Sequence, residues 1–313
     1  MAGTDELVVR PEHAGSRLDA VLKQMRELPL RARKRLVEDG RVLVNGRRGR
    51  AGMLVAAGDR VTLLETDGEA GAEKAPSCRL LSADGEMAFF AKPSGLHTVS
   101  LQGRDNSSLE RQAADLLGDG IHFRLLQRLD RLTSGIVAAA LTPRAEEAFR
   151  LAEKDGAVVK RYVCLVQGSL DEERLVRSRL ASDGGRGMRV LADDDADPAR
   201  WTRFVPLLRT TAASCLSCLP EGLDGTAPLT LAGVILHRGA RHQIRVHAAS
   251  MGMPLAGDTQ YGGRALPDRT FYLHHGSLEA LDRIIVCAPA WPGNFAVFSR
   301  SLEMWFAPKR KTG

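Results

Sequence analysis

The chain has 313 residues, 44% of them hydrophobic, and carries 44 Lys and Arg against 38 Asp and Glu, a formal charge of +6. That length suits one large domain with a good core and a small appended one. Its apolar stretches fall far short of the roughly 18 residues of a spanning helix, and its start, Met1-Ala2-Gly3-Thr4-Asp5-Glu6, has neither a basic region nor a signal core. No membrane location is expected, and the cytoplasm is the expected compartment.

The positive charge is concentrated. Residues 10–60 hold 13 Lys or Arg and 6 Asp or Glu, a surplus of seven, so the rest of the chain is slightly acidic. Such concentration is the electrostatic footprint of a nucleic-acid-binding module. The segment reads as a small α/β unit. Ser16, with Asp19 three residues on, can cap a helix whose buried stripe is Leu18, Val21, Leu22 and Met25. After Pro29 a second helix is expected from Leu30 to Asp39, stopping at Gly40. Arg31, Lys34 and Arg35 share its exposed face, and Leu36 and Val37 can face the core. Val42-Leu43-Val44 followed by Asn45-Gly46 predicts a strand and a tight turn, with Arg47, Arg48 and Arg50 beyond it. Val61-Thr62-Leu63-Leu64 predicts a last strand after the Gly58-Asp59 turn.

Residues 68–77, rich in small and charged side chains, read as a linker between an N-terminal domain over 1–67 and a second domain over 78–313. In the second, strands are expected at the apolar runs Ile136 to Leu141 and Leu229 to Leu236. One helix is capped by Thr142-Pro143, with Ala145, Ala148, Phe149 and Ala152 on one face, and another spans 241–251 with Ile244, Ala248 and Met251 as its apolar face. Loops are expected at Asp183 to Gly187, Asp193 to Asp197 and Pro220 to Pro228. Runs of strands with occasional helices indicate an α+β fold around a largely antiparallel sheet. Five cysteines, Cys78, Cys164, Cys215, Cys218 and Cys287, are an odd, scattered set that argues against a disulfide framework. Cys215 and Cys218 have the spacing of half a zinc knuckle without a second pair, and His242 and His247 at i, i+5 share no helical face, so no metal is expected.

The most informative segment is Arg128-Leu129-Asp130-Arg131-Leu132-Thr133-Ser134-Gly135. A carboxylate stands between two guanidinium groups, then a turn, then an apolar run. That aims an aspartate outward from the mouth of a buried strand, as a nucleophile or electrostatic catalyst requires. On spacing alone a surface ion pair is the commoner explanation. Likewise Arg245, taken alone, reads as a surface charge, and Tyr162 as a core tyrosine with its hydroxyl hydrogen-bonded.

Five blocks change that balance. The Arg-Leu-Asp run with its Thr-Ser-Gly resembles the signature of the RluA-type pseudouridine synthases. So do Lys92-Pro93-Ser94-Gly95, the Lys-x-Tyr strand at Lys160-Arg161-Tyr162, the segment His242-Gln243-Ile244-Arg245-Val246-His247, and the turn Gly257-Asp258-Thr259-Gln260-Tyr261-Gly262. Five blocks in order over roughly residues 85–275 are far more specific than one motif. The resemblance implies a central cleft and an RNA uridine as substrate. It makes Asp130 the essential carboxylate, by attack on the sugar or by promoting a glycal, Arg245 its basic partner, and Tyr162 the ring that meets the target base. Arg128, Thr133, Arg241 and His242 become candidate substrate contacts, while Lys92, Pro93 and Gly95 shape the turn at the cleft edge. No cofactor is expected, since the isomerisation changes neither oxidation state nor composition.

Two departures from the family pattern concern substrate contacts. Gln127 stands where the family has His, and Ala240 where it has Arg. Gln can still donate and accept hydrogen bonds but does not titrate.

The N-terminal segment is similar to the ribosomal-protein-S-four-like RNA-binding domains through Arg17-Leu18-Asp19, Val44-Asn45-Gly46 and Gly58-Asp59-Arg60-Val61. This implies that Arg31, Arg33, Lys34, Arg47 and Arg48 meet the RNA backbone, giving affinity with little base specificity. The expected activity is that of an RNA pseudouridine synthase acting as a monomer on structured RNA, with large-subunit ribosomal RNA ahead of transfer RNA. A non-catalytic RNA-binding assembly factor is the competing class.

Overall fold

The computed structural model describes residues 4–25, 33, 36–37, 42–50, 52–64, 76–100, 108–185, 187–211, 227–267, 270–291 and 299–307. The chain divides into two compact units, Met1–Lys74 and Ala75–Gly313. The expected linker lies largely outside the described residues, as do the Cys215–Cys218 pair, most of the 220–228 loop, and the helix over 30–39 apart from Arg33, Leu36 and Val37.

In the first unit, β1 (Thr4–Val8), β2 (Val42–Val44), β3 (Arg47–Arg48) and β4 (Arg60–Leu64) form an antiparallel sheet in the order β1-β4-β2-β3. Asn45 and Gly46 take φ of 52° and 76°, the paired left-handed conformation of a tight hairpin turn. The Asn45 amide binds Asp59 Oδ1 at 2.8 Å and accepts the Arg60 N–H at 2.9 Å, locking that turn to the one before β4. Helix α1 (Leu18–Val21) buries Leu18, Val21 and Leu22 against Val37, Val42, Val44 and Val61, as the stripe predicted. Ser16 does not cap it. The Ser16 carbonyl pairs with the Val55 N–H and Arg17 bridges to Leu54, so this stretch is held extended and the helix starts one residue later, at an uncapped Arg17.

The second unit is built on a sheet in the order β10-β13-β14-β9-β15-β8-β6-β5, with β16 on β15 and β7 on β8. Its strands are β5 (Arg79–Ala83), β6 (Met87–Lys92), β7 (Arg124–Leu125), β8 (Ser134–Ala140), β9 (Val159–Gln167), β10 (Arg174–Val176), β13 (Thr202–Thr211), β14 (Pro228–Leu236), β15 (Leu273–Ala280) and β16 (Arg283–Val286). A separate hairpin joins β11 (Ser178–Ser182) to β12 (Met188–Asp194). Pairing is antiparallel except between β15 and β8. Central strands are covered on both faces, which is why they read as unbroken apolar runs. Val137, Ala139, Tyr162 and Cys164 point into one core, while Ile136, Ala138 and Ala140 meet Ala145 and Phe149 on the other side.

Ala145 and Phe149 belong to α3 (Pro143–Lys154), which Thr142 caps by accepting the Ala145 N–H at 3.1 Å. Helices α2 (Leu109–Leu117), α4 (Gln243–Ser250) and α5 (Ser299–Phe306) accompany it in this unit. The stretch expected as a loop from Asp193 begins later than predicted. Asp194 still pairs with Ser178, and Arg179 holds Asp193 at 2.7 Å, so β12 runs to Asp194.

Gly135 fixes the geometry where β8 begins. Its φ is +118°, and a Cβ there would run into the backbone of His275 on the parallel neighbour β15. Gly135→Ala should therefore cost clearly more than Thr142→Ala, which loses a helix cap worth about 1 kcal/mol. Urea denaturation of the two variants measures both costs, and the glycine substitution should exceed about 2 kcal/mol.

Candidate active site

Asp130 sits in the turn that feeds β8, closed by the Thr133 N–H to the Asp130 carbonyl at 3.1 Å. The chain on either side is gripped by residues 92–98. Lys92, only 1% exposed, places its ammonium among the carbonyls of Pro93, Leu96 and Arg131 at 3.0, 2.8 and 3.1 Å. Ser94 donates to the Leu132 carbonyl at 2.8 Å, and Thr98 both donates to and accepts from the Leu129 backbone, at 2.7 and 3.1 Å. The Gly95 N–H adds a bond to the Arg131 carbonyl at 2.8 Å. Burial pushes the Lys92 ammonium down to about 7; Asp130 opposes that shift and Arg131 adds to it. The Lys-Pro-Ser-Gly segment thus holds the backbone that carries Asp130.

Arg245, buried in α4, meets this carboxylate: Nη1 donates to Asp130 Oδ2 at 3.0 Å. The same guanidinium is held bidentate by buried Asp258, Nε to Oδ2 at 2.7 Å and Nη2 to Oδ1 at 2.8 Å, and by Gln260 Oε1 at 3.0 Å. It lies over two rings, Phe271 at 4.5 Å and Tyr261 at 5.0 Å. Burial works against its charge, but the bonds and charge of Asp258, then of Asp130, outweigh it and hold the guanidinium above its ordinary value. Asp258, Gln260 and Tyr261 belong to the Gly-Asp-x-x-Tyr-Gly turn, whose motif matched the family pattern without implying a task for any of the three.

His242 stands immediately before α4 in a left-handed conformation, φ 55°. Its Nε2 is 3.7 Å from Asp130 Oδ1 and its Nδ1 is 2.7 Å from the Tyr261 hydroxyl. Burial lowers its basicity, Arg245 and Arg241 lower it further, and Asp130 and Asp258 work in the other direction. Tyr162 lies on β9 with its ring stacked on His275, centroids 4.4 Å apart and planes at 17°. Its hydroxyl is pushed above the usual tyrosine range by burial first, then by the charges of Asp130 and Glu153.

Among the other expected contacts, Arg128 and Arg241 are exposed, whereas Thr133 is buried with its Oγ1 unpaired among the described residues. Gln127 uses its donor on the Ile136 carbonyl at 3.1 Å, and the Ala240 N–H is taken by Gln243 Oε1 at 2.8 Å. His247 is a structural residue, bound to Thr202 Oγ1 at 2.7 Å and the Ser178 carbonyl at 3.0 Å. In the N-terminal unit, Arg33, expected to meet RNA, does not face outward. It is buried and donates to the Asp19 carbonyl at 2.7 Å, because its position on the helix faces α1. The side chains of Arg31, Lys34, Arg47 and Arg48 lie outside the described residues.

Comparison with known proteins matches residues 86–250 to the RNA pseudouridylate synthase family and residues 16–61 to the S4 domain. Ribosomal large subunit pseudouridine synthase D of Nitrosomonas europaea is 30% identical over 275 residues, covering 85% of this chain and 74% of that protein. The tRNA pseudouridine synthase C of Pasteurella multocida is 28% identical over 198 residues, 61% of this chain and 79% of that protein. Among solved structures, human RNA pseudouridylate synthase domain containing 1 shares the fold, with a TM-score of 0.52 at 19% identity over 75% of this chain and 90% of that one. The family match spans the Asp130 turn, the Tyr162 strand and most of the Arg245 helix: this chain belongs to the RNA pseudouridylate synthases, isomerases that act on RNA, and carries an S4 RNA-binding domain.

Proposed function

We propose that this protein isomerises uridine in large-subunit ribosomal RNA, with Asp130 as the reacting carboxylate, Arg245 as its partner and Tyr162 as the ring on which the target base lies. The observation that carries the reading is the shared guanidinium: Arg245 is anchored by Asp258 and offers its remaining edge to Asp130 Oδ2 at 3.0 Å. A structural ion pair needs one carboxylate. Here a buried carboxylate already satisfies the arginine, and a second, partly exposed one shares it. That spends the arginine on orienting an acid at the surface of a cleft.

The chemistry is balanced within the substrate. The N1–C1′ bond of uridine breaks, the uracil turns, the C5–C1′ bond forms, the C5 proton leaves to solvent and N1 takes up a proton in its place. Whether the carboxylate attacks C1′ or promotes loss of a sugar proton to give a glycal, it must be ionised and held against the ribose, and Arg245 serves both routes. The uracil has to leave its stack to reach Asp130. Tyr162, buried and with one face stacked on His275, is the ring this reading assigns to the flipped base. Arg128 and Arg241, both exposed, and His242, near Asp130, are the groups this reading gives to the neighbouring phosphates.

Ribosomal RNA is favoured over transfer RNA by two features. The relative named for the large ribosomal subunit matches over 85% of this chain, against 61% for the one named for tRNA. The basic N-terminal segment, taken as a domain over residues 1–67, supplies backbone affinity suited to a large folded RNA. The protein acts as a monomer, in the cytoplasm.

Asp130→Asn removes the charge at almost constant volume. Tritium release from RNA labelled at uracil C5 should fall on the order of 10³-fold or more, with RNA affinity nearly unchanged. Turnover retained by this variant would take the role from Asp130. Fractionating the labelled RNA names the substrate, and release from transfer RNA alone would overturn the ribosomal assignment. Deleting residues 1–67 should weaken binding and flatten its salt dependence, by roughly 0.7–0.9 in log–log slope for each phosphate that is no longer neutralised. Titrations at several salt concentrations measure that slope.

A further inference from the structure

We propose that Tyr261 is a positioning residue of the reaction. Its hydroxyl, seated on the β11–β12 hairpin, fixes His242 as a neutral ring whose Nε2–H faces the Asp130 oxygen that Arg245 leaves open. The proposal rests on Asp130 being the reacting carboxylate.

One direction of the hydrogen-bond chain uses every donor in it and turns a proton, not a lone pair, toward the Asp130 carboxylate. The Met188 N–H, at the start of β12, donates to the Tyr261 oxygen at 2.9 Å. The hydroxyl proton is then left for His242 Nδ1, 2.7 Å away. An Nδ1 that accepts leaves the ring proton on Nε2, and Nε2 is the atom facing Asp130 Oδ1 at 3.7 Å. Asp130 Oδ2 is meanwhile taken by Arg245 at 3.0 Å. The two carboxylate oxygens are therefore distinguished: one is bound to a cation, the other faces a neutral donor at a longer distance and stays available to the ribose.

Three further observations set Tyr261 at the centre of this arrangement. Its ring lies under the Arg245 guanidinium at 5.0 Å, so one side chain touches both neighbours of Asp130. His242 is held in a left-handed backbone conformation, φ 55°, a sparsely populated state for a residue with a Cβ that tends to persist at functional sites. The hairpin is itself tied to α4 through His247 and the Ser178 carbonyl at 3.0 Å, so its seating on Tyr261 is braced from the helix that carries Arg245.

The charged and titratable groups facing His242 are Asp130, Arg245, Arg241, Asp258 and Tyr261. The two acids favour its protonation, and burial and the two arginines oppose it. Donation from Tyr261 to Nδ1 is possible only to the neutral ring. Removing the hydroxyl should raise the basicity of His242, so a limb of the pH–rate profile caused by its protonation should move to higher pH.

Tyr261→Phe separates this role from packing, because the ring over Arg245 remains and only the hydroxyl is lost. Long-range proton–nitrogen NMR of the full chain labelled at histidine nitrogen, with His242 assigned by its loss in His242→Gln, reads the tautomer without any turnover. The expected wild-type spectrum at neutral pH shows an unprotonated Nδ1 and a protonated Nε2. The expected Tyr261→Phe spectrum shows a mixture of tautomers. In the same variant kcat for tritium release should fall about fivefold, with KM unchanged and the acidic limb moved to higher pH. A wild-type His242 protonated on Nδ1 would overturn the proposal, as would a Tyr261→Phe variant with unchanged tautomer and pH profile. Full turnover by Asp130→Asn with the tautomer as described would also overturn it, and would lay the failure on the aspartate rather than on the tyrosine.

Discussion

A single guanidinium organises the catalytic unit. Arg245 is buried, and an uncompensated charge there would be strongly unfavourable, so the helix can place it only with a partner such as the bidentate Asp258 carboxyl. Once that pair is formed, the arginine has one edge left, and it is directed at Asp130. The two rings it lies against, Phe271 and Tyr261, restrict the direction in which that edge can point. The position of Asp130 Oδ2 is thus set by a residue more than a hundred positions away, and the turn around Asp130 has to be rigid enough to meet it.

That rigidity comes from the segment after β6. A lysine ammonium shared among three carbonyls, a serine and a threonine hydroxyl, and one backbone N–H bind both sides of the Asp130 turn. Gly135 then lets β8 approach β15 closely enough to form the parallel pair. Since β15 also pairs with β9, which carries Tyr162, carboxylate and ring are registered through one strand.

Much of this was legible in the chain. The β8 strand read from its unbroken apolar run, the Thr142 cap and the Asn45-Gly46 hairpin follow from local rules of composition and turn chemistry, and each formed as expected. Ser16 failed as a cap because residues 15–17 pair with residues 53–55, an association of distant segments that no local pattern carries. Arg33 turned inward for a similar reason: the family resemblance placed it among the RNA contacts, but the carbonyl it binds, that of Asp19, lies fourteen residues away and leaves no local signal. The partnership of Asp258 with Arg245 was open to inference, since a buried arginine requires a buried acid, but the sequence marked neither residue as buried. The role of Lys92 as a clamp on the Asp130 turn depends on carbonyls from two separate segments and has no sequence signal beyond the family block.

Gln127 shows how a departure from a family pattern can be absorbed by a neighbouring strand. The Ile136 carbonyl accepts from Gln127 Nε2 at 3.1 Å and from His275 Nδ1 at 2.7 Å, so amide and imidazole share one acceptor. His275 is kept neutral by burial, which pushes it down to about 3, and it is this ring that stacks on Tyr162. Gln127 therefore acts on Tyr162 only through the placing of His275, and it does so as a donor, a property that glutamine retains when it replaces a titrating imidazole. What the substitution removes is proton exchange at position 127. The buried Gln127 Oε1 and His275 Nε2 both lack partners among the described residues, so this layer beneath Tyr162 is polar and incompletely satisfied. Tyr162 stacks on the ring of this layer, which makes its orientation depend on a flat aromatic surface at position 275.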